Sequence, residues 1–210
     1  SREDNNGYGQ AQTGPDGTFD IGGLPIGNYR VHFYDCSGAD TYLAEYFDDT
    51  TEYQAARLLP VTAGGATADI DASLASAGHI TGIVVGEDGG VALEGICVQA
   101  YSPEVGRSGS AETGIDGSYD IGGLPAGPYR VSFSDCGRGA YAPEYFDDIL
   151  DFWAATVVSV TEGNTTPAVS VELAPAGHIT GTVTADDGQS ALENICVYAS
   201  RHDNHSYGSD

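Results

Sequence analysis

The sequence predicts an all-β chain built from tandem seven-stranded antiparallel β-sandwiches, each of about 100 residues. Three observations lead to this fold class. The 210 residues repeat themselves at a spacing of 99 to 100 residues. Short stretches alternate between apolar and polar residues with a period of two, and turn-forming residues separate them at intervals typical of a sandwich. No long stretch shows the 3.6-residue period of a helix.

The chain contains an internal duplication. The stretch TGPDGTFDIGGLPIGNYRVHFYDC begins at Thr13, and its counterpart TGIDGSYDIGGLPAGPYRVSFSDC begins 100 residues later at Thr113. The stretch AGHITG begins at Ala77 and returns 99 residues later at Ala176. If a repeat begins near AGHITG, the chain divides into a partial sandwich that lacks its first strands, one complete sandwich and the first strands of a further repeat. These three parts are residues 1–75, 76–175 and 176–210.

The complete repeat is a series of short predicted strands. Alternating stretches occupy residues 78–85, 95–101, 118–121, 129–133, 157–161 and 169–173. Turn signals such as EDGG and GGLPAGP separate them, because Gly permits a positive φ and Pro fixes φ. The Gly- and Ser-rich stretch before Asp116 is predicted to be a loop, and only residues 147–155 suit a short helical turn.

These motifs resemble a known family. The block DGxYxIxGLPxGxYxV, with Phe in place of the first Tyr in the earlier copy, occurs at Asp16–Val31 and Asp116–Val131, and GxITGxV precedes the second copy. Together they resemble the carboxypeptidase regulatory-like domain, a prealbumin-like sandwich that is also compared with the B-type Ig-like repeats of bacterial surface proteins. The resemblance implies a non-catalytic module of a secreted bacterial protein, serving as a spacer, stalk, adhesin part or carbohydrate-contacting domain. Lys–Asn crosslinking of B-type repeats is not expected, because the chain has no Lys.

The repeat also organises the four cysteines. Cys97 and Cys136 are 39 residues apart and form the only pair inside one complete repeat. The partners of Cys36 and Cys196 would lie in a neighbouring repeat or chain. Four reduced, buried thiols are the alternative. One disulfide per repeat predicts an oxidising compartment, so we expect an extracellular or cell-surface location.

Charge excludes several classes of partner. Seven Lys plus Arg face 31 Asp plus Glu, which gives a formal net charge of −24. Such a surface repels phosphate backbones and anionic lipid head groups, so nucleic-acid binding is not expected. No apolar run approaches the ~20 residues of a membrane helix, so membrane insertion is not expected either.

An acidic cluster recurs in both copies and is the candidate cation site. Clustered carboxylates suit Ca²⁺, so calcium is the one cofactor considered, although a solvated acidic surface explains the same residues. The candidate ligands are Glu45, Asp48, Asp49, Glu144, Asp147 and Asp148.

Aromatic residues accompany the acidic cluster. Tyr145, Phe146 and Trp153 are candidate residues for stacking on sugar rings, and packing on the core or on the next repeat is the alternative.

Other candidate residues lie at the joins and in loops. His79, His178 and Pro175 are placed where one repeat meets the next, without a flexible spacer. Asn164 and Asn204 begin the two N-x-S/T glycosylation sequons. We find no catalytic motif and predict that the chain is not an enzyme.

The sequence therefore predicts an extracellular structural protein that forms a fibre or stalk from β-sandwich repeats joined end to end. Its partners would be copies of itself or adjacent repeats. Two versions remain open: strand complementation between chains, or a continuous tandem array. The alternative function is an adhesin or carbohydrate-binding module that uses the aromatic and acidic loop to bind glycans. An accessory domain of a secreted hydrolase is a third hypothesis.

Overall fold

The computed structural model describes residues 7–137, 139–186 and 188–200. Within this part the chain has 13 β-strands and no helix, so it contains no helix that could cross a membrane. The strands are β1 (Gly27–Tyr29), β2 (His32–Phe33), β3 (Glu45–Tyr46), β4 (Leu59–Val61), β5 (Gly78–Gly86), β6 (Cys97–Ser102), β7 (Arg107–Glu112), β8 (Ser118–Leu124), β9 (Gly127–Ser134), β10 (Glu144–Tyr145), β11 (Val158–Val160), β12 (Thr165–Thr166) and β13 (Val171–Leu173).

The chain forms two compact units, residues 1–176 and 177–210. The first unit contains all 13 strands, and it joins the predicted partial repeat to the complete one. Among the described residues of the second unit, the ladder pairing is limited to one bridge between Thr184 and Ala191.

Strands β5 to β13 lie within residues 76–175, which we call the complete unit, and they form two sheets around one core. One sheet has the order β10-β9-β6-β7, and β11 also pairs with β9. In the other sheet, one edge of β5 pairs with β12 and β13, and the opposite edge pairs with β8. Two positions of the sandwich are thus each occupied by two short strands, β10 with β11 and β12 with β13. For this reason the unit has nine strands where seven were predicted.

The prediction of a purely antiparallel sandwich is wrong at one edge. Strands β12 and β13 both run parallel to β5, with Thr165 opposite His79 and Val171 opposite Val84. The first and last strands of the unit therefore lie side by side and point the same way. A period-two pattern shows which face of a sheet a residue occupies, but it does not show which strand is the neighbour or its direction.

Two local predictions also differ from the structure. The polar stretch predicted as a loop contains β7, an edge strand that pairs with β6 along six residues, from Ser102 opposite Arg107 to Cys97 opposite Glu112. An edge strand exposes most of its side chains, so it lacks the alternating apolar signal. Residues 147–155 form turns and no helix, beginning with the bridge between Tyr145 and Ile149.

The core lies between the two sheets of this unit. Six of its 17 buried residues come from residues 80–100, so the first two strands and their connection supply about a third of the core. The core residues are Ile80, Val84, Leu93, Ile96, Val98, Ala100, Tyr119, Ile121, Leu124, Tyr129, Val131, Phe133, Val158, Val160, Val169, Val171 and Leu173.

The N-terminal repeat has the same local turns but few strands. The hydroxyl of Tyr29 donates to Pro25 O at 2.8 Å, as that of Tyr129 donates to Pro125 O at 3.0 Å. Its strands β1 with β4 and β2 with β3 form two small sheets. Segments 7–12 and 18–24 match β7 and β8 in sequence but are not strands. In the complete unit β7 pairs with β6 and β8 with β5, and the described residues 7–75 contain no stretch that matches either partner in sequence.

Candidate assembly site

An apolar groove lies open in the N-terminal repeat. Its volume is about 390 Å³, and its wall contains counterparts of core residues of the complete unit. Phe33, for example, is partly exposed, whereas Phe133 is fully buried. The apolar lining includes Phe19, Ile21, Leu24, Tyr29, Val31, Phe33 and Leu74. The groove is therefore lined by side chains whose counterparts are packed in the core of the complete unit.

The C-terminal segment, residues 177–200, exposes apolar side chains whose counterparts are buried in the complete unit. It repeats the sequence of β5 and β6 but forms no strand, and its apolar side chains are exposed. Val98 is fully buried, whereas its counterpart Val197 is 79% exposed. Ile80 and its counterpart Ile179 differ in the same way, at 0% and 87%. Val183, Leu192 and Ile195 are likewise exposed, although their counterparts Val84, Leu93 and Ile96 are buried.

The C-terminal segment retains the local shape of its counterpart. The bridge between Thr184 and Ala191 corresponds to that between Val85 and Ala92 in the complete unit. Leu192 N donates to Val183 O at 3.0 Å, as Leu93 N donates to Val84 O at 3.0 Å. The turn between the stretches that match β5 and β6 therefore has the same backbone bonds as its counterpart in the complete unit.

The cysteines follow the same division. Cys97 at the start of β6 is bonded to Cys136, which follows β9, with a Cα–Cα distance of 5.1 Å. Cys36 and Cys196 are free and exposed. Cys36 lines the groove, and Cys196 occupies in the C-terminal segment the sequence position of Cys97. Each free cysteine is therefore the sequence counterpart of one member of the Cys97–Cys136 disulfide.

The acidic clusters are partly buried in both repeats. Burial, together with the charges of Asp148 and Glu87, raises the pKa of Glu144 to about 7. Burial and Asp49 also raise the pKa of Glu45. One carboxylate oxygen of each glutamate is buried without a hydrogen-bond partner. These two positions therefore disfavour the charged carboxylate.

No group of three or more His, Cys, Asp and Glu side chains in the described part of the chain is placed to hold a metal ion. Asp147 and Asp148 line an open pocket of about 370 Å³, together with Glu87 and Glu172. Asp48 lies 3.9 Å from Arg57, and both side chains are largely exposed. Calcium binding stays a prediction from the sequence.

We expect Glu144→Gln to stabilise the protein at pH 8 by about 1 kcal/mol, after a discount for solvent screening. The folded state holds the Glu144 proton more tightly than the unfolded chain, because its pKa is raised from 4.5 to about 7. Its contribution to stability is therefore fully present below pH 4.5 and is lost as the pH rises through 7. Urea unfolding at several pH values measures this effect. Glu45→Gln should give a smaller change of the same sign, and a wild-type profile for Glu144→Gln would contradict the assignment.

The aromatic candidates occupy different environments. Phe146 is half-buried, packs against the core and also lines the open pocket beside Asp147 and Asp148. Trp153 is 73% exposed and lies against Phe152, with ring centroids 4.9 Å apart. Tyr145 also contacts Phe152, at 5.9 Å. An exposed aromatic cluster therefore exists, with Phe152 at its centre.

Arg130 organises this aromatic cluster and was missed by the sequence analysis. Its guanidinium carbon lies 5.0 Å from the centre of the Phe152 ring and 5.7 Å from that of Trp153. Glu104 lies 3.5 Å from the same guanidinium. Arg30 lies similarly over Tyr53 in the N-terminal repeat, at 4.6 Å. The recurring Tyr-Arg-Val triplet was the available signal, because period-two alternation places this Arg opposite the core.

The predicted junction residues have distinct contacts. His79 Nδ1 lies 2.8 Å from Asp120 Oδ1. Pro175 forms a bridge with Tyr141 at the end of the complete unit. His178 lies in the second compact unit and is exposed.

Of the two predicted glycosylation sites, one lies within the described residues. Asn164 is exposed in a turn, where its side-chain amide donates to Glu162 O at 2.9 Å. Asn204 lies outside the described residues. Glycosylation of either asparagine stays a prediction.

Comparisons with known proteins give only distant structural matches. No protein-family model and no curated protein matches the chain. GBS52, the minor pilin of the gram-positive pathogen Streptococcus agalactiae, is 17% identical with a TM-score of 0.36, and the match covers 83% of this chain and 92% of that one. The Bacillus anthracis TIE protein is 14% identical with a TM-score of 0.36, covering 78% of this chain and 31% of that one. This chain thus spans about a third of the TIE protein. Scores this low carry no argument about fold or function.

Proposed function

We propose that the chain is a structural subunit of an extracellular filament or stalk, in which β-sandwich repeats join end to end by strand complementation. One observation carries the proposal. Residues 177–200 expose the sequence counterparts of apolar residues that fill the core of the complete unit. Residues 7–75 contain an open groove lined by counterparts of the remaining core residues.

The missing strands are central ones. In the complete unit β5 lies between β8 and the pair β12 and β13, and β6 lies between β7 and β9. Residues 177–200 of one copy would therefore add one strand to the middle of each sheet in the next copy. Segments 18–24 and 7–12 would then gain the partners that β8 and β7 have. This accounts for the absence of strands in both halves.

The energetics favour such a joint. Full burial of one Val, Leu or Ile side chain contributes about 1.5–3 kcal/mol. Ile179 and Val197 are mostly exposed and Val183, Leu192 and Ile195 are about half exposed, so their burial would contribute about 4–9 kcal/mol in total. This lies within the range of the cost of association. The backbone ladders on both sides of each inserted strand add to this. Because donor and acceptor are different surfaces of the chain, the contact does not close on itself and extends into a filament.

A disulfide between Cys36 and Cys196 would make the joint permanent. The two thiols take the roles of Cys136 and Cys97 in the completed unit, and both are exposed before assembly. Disulfide formation requires an oxidising compartment, so this joint fits a protein outside the cytosol. The same completed unit can form between two chains or within a longer tandem chain. Reduction of the fibre to single chains of 21.7 kDa on a denaturing gel would identify the first arrangement.

We expect Val197→Asp to abolish filament formation, because it would bury a carboxylate at the position where Val98 is fully buried. Tyr198→Asp is the matched control, since its counterpart Gln99 faces solvent in the complete unit. Both substituted residues are exposed in the single chain, so neither change should affect its folding. Negative-stain microscopy and non-reducing gels measure the result. Wild-type protein that stays as separate particles, or Val197→Asp filaments equal to wild type, would overturn the proposal.

The adhesin hypothesis has a weaker basis in the contacts. Packing on Arg130 occupies one side of Phe152, and Phe146 is half-buried against the core. Trp153 remains the most exposed ring of the cluster. Glycan binding by the aromatic cluster is compatible with a filament that displays it once per repeat, and it stays the alternative function.

A further inference from the structure

The N-terminal repeat contacts the complete unit through the loop at residues 37–41. Asp40 in this loop lies against the glycine pair near the end of β8, next to the turn into β9. Gly123 N donates to Asp40 O at 2.9 Å. A Cβ atom at Gly122 would lie only 2.6 Å from His79 Cε1 and 2.8 Å from Asp40 Cβ. Only a residue without a side chain fits beneath this loop. We call this glycine pair the seat, and at Gly122 and Gly123 it is occupied because Asp40 lies on it.

Backbone bonds hold the loop over the seat. Ala77 N donates to Thr41 O at 2.7 Å, and Leu43 N donates to Ala75 O at 2.8 Å. The 2.8 Å pair of His79 and Asp120 flanks the glycines on the side of the complete unit. The contact thus combines a main-chain carbonyl, a glycine pair and a histidine–carboxylate pair.

The N-terminal repeat carries the same seat without an occupant. The sequence DIGGLP occurs at residues 20–25 and again at 120–125. No atom of the described residues lies within 4 Å of a Cβ placed at Gly22 or Gly23, apart from their chain neighbours. Gly23 has a φ of +74°, so its own backbone conformation requires glycine. Gly22 has no positive φ and has open space around it, so nothing within the described chain requires glycine there.

The matching loop is presented at the other end of the complete unit. Ala176 N donates to Ala140 O at 2.8 Å and Ala142 N to Ala174 O at 2.9 Å, which reproduces the bonds that hold the first loop. Counting back from the bridging tyrosine of each copy, Gly139 corresponds to Asp40. Both have a positive φ, +73° and +48°. The loop is one residue shorter, but the contact uses a main-chain carbonyl, which any residue supplies.

We propose that Gly22 and Gly23 of one copy are the docking seat for Gly139 and Ala140 of a second copy, with His178 of that second copy beside Asp20. This inference rests on the proposed filament, and it names the contact that fixes the angle between successive units. His178 and Asp20 stand in the sequence at the positions of His79 and Asp120. Both are exposed in the single chain, as an unoccupied seat requires.

The test compares one substitution at the two seats. In the dilute single chain, Gly122→Gln should lower Tm by about 4–8 °C, because the side chain overpacks a closed contact. Gly22→Gln should leave Tm unchanged, because it enters open space. Equal Tm values for the two variants, measured by circular dichroism, would overturn the seat.

Filaments provide the second measurement. We expect Gly22→Gln filaments to have a persistence length reduced by about a factor of two, or to fail to assemble, because a blocked seat leaves each joint hinged. Ala55→Gln, at an exposed loop position, is the control and should give filaments like wild type. If wild type and Gly22→Gln filaments are equally stiff and equally abundant, the seat is wrong while the filament stands. If wild type forms no filaments, the proposed function fails instead.

Discussion

Replacing Phe133 with Ala is expected to lower the free energy of unfolding by about 3–5 kcal/mol. Its side chain is fully buried between the sheets and packs edge-to-face on Tyr119, with ring centroids 5.9 Å apart. Opposite Val98 in the ladder, it is also in contact with one of the first strands of the unit. Removing the ring leaves a cavity that the surrounding β-sheets cannot close. Urea unfolding followed by far-ultraviolet circular dichroism measures the loss.

The chain provides its own control for this experiment. Phe33 is the counterpart of Phe133 and packs on Phe19 in the same way, with centroids 5.8 Å apart. It lines the open groove and is partly exposed, so Phe33→Ala in the single chain should cost only about 1 kcal/mol. In assembled filaments its cost should approach that of Phe133→Ala. Equal costs in the single chain would show that the N-terminal repeat is already complete, contrary to the structure.

Replacing Cys97 and Cys136 together with Ser is expected to cost about 2–4 kcal/mol of stability. The disulfide closes a loop of 39 residues and restrains the unfolded chain. It also links the start of β6 to the end of β9, two adjacent central strands of one sheet. Urea unfolding with and without a reductant measures the effect, since the reductant should bring wild type to the level of the double variant.

The second cysteine pair should behave in the opposite way. Cys36→Ser with Cys196→Ser should leave the stability of the single chain unchanged, because both thiols are free and exposed. The same variant should lose every disulfide between chains on a non-reducing gel. A stability loss in the single chain as large as that of the first pair would contradict this division of roles.

Much of the sandwich follows from local pattern. The stretches at Gly78–Gly86 and Gly127–Ser134 alternate cleanly, and both are central strands. The edge strand Arg107–Glu112 could not be predicted in this way, because the face that it turns to the core carries only the small residues Gly109 and Ala111 and so gives no apolar alternation. Parallel pairing with β5 was also unpredictable, since the alternation is the same in either direction.

The N-terminal repeat shows the limit of pattern more sharply. Its stretch YRVHF alternates as well as YRVSF does, yet it forms only the short strands Gly27–Tyr29 and His32–Phe33. The difference lies in the partners, because β9 pairs with β6 along five residues and the described residues 7–75 contain no stretch that matches β6. The internal duplication predicts this difference, because it aligns residues 7–75 with the part of the complete unit that follows β6. The glycine seat was not predicted, because glycine pairs in GGLP also suit a simple turn, and only the contact with Asp40 distinguishes the two roles.

The parallel pairing of the first and last strands has a mechanical consequence. If a filament is stretched, force enters the complete unit at the start of β5 and leaves at the end of β13. Because these strands run parallel, the two forces slide them past each other along their length. The hydrogen bonds of this ladder are then loaded together instead of being opened one at a time. In the proposed filament this unit would therefore resist tension, and the loop closed by Cys97 and Cys136 would limit how far it extends once the ladder breaks.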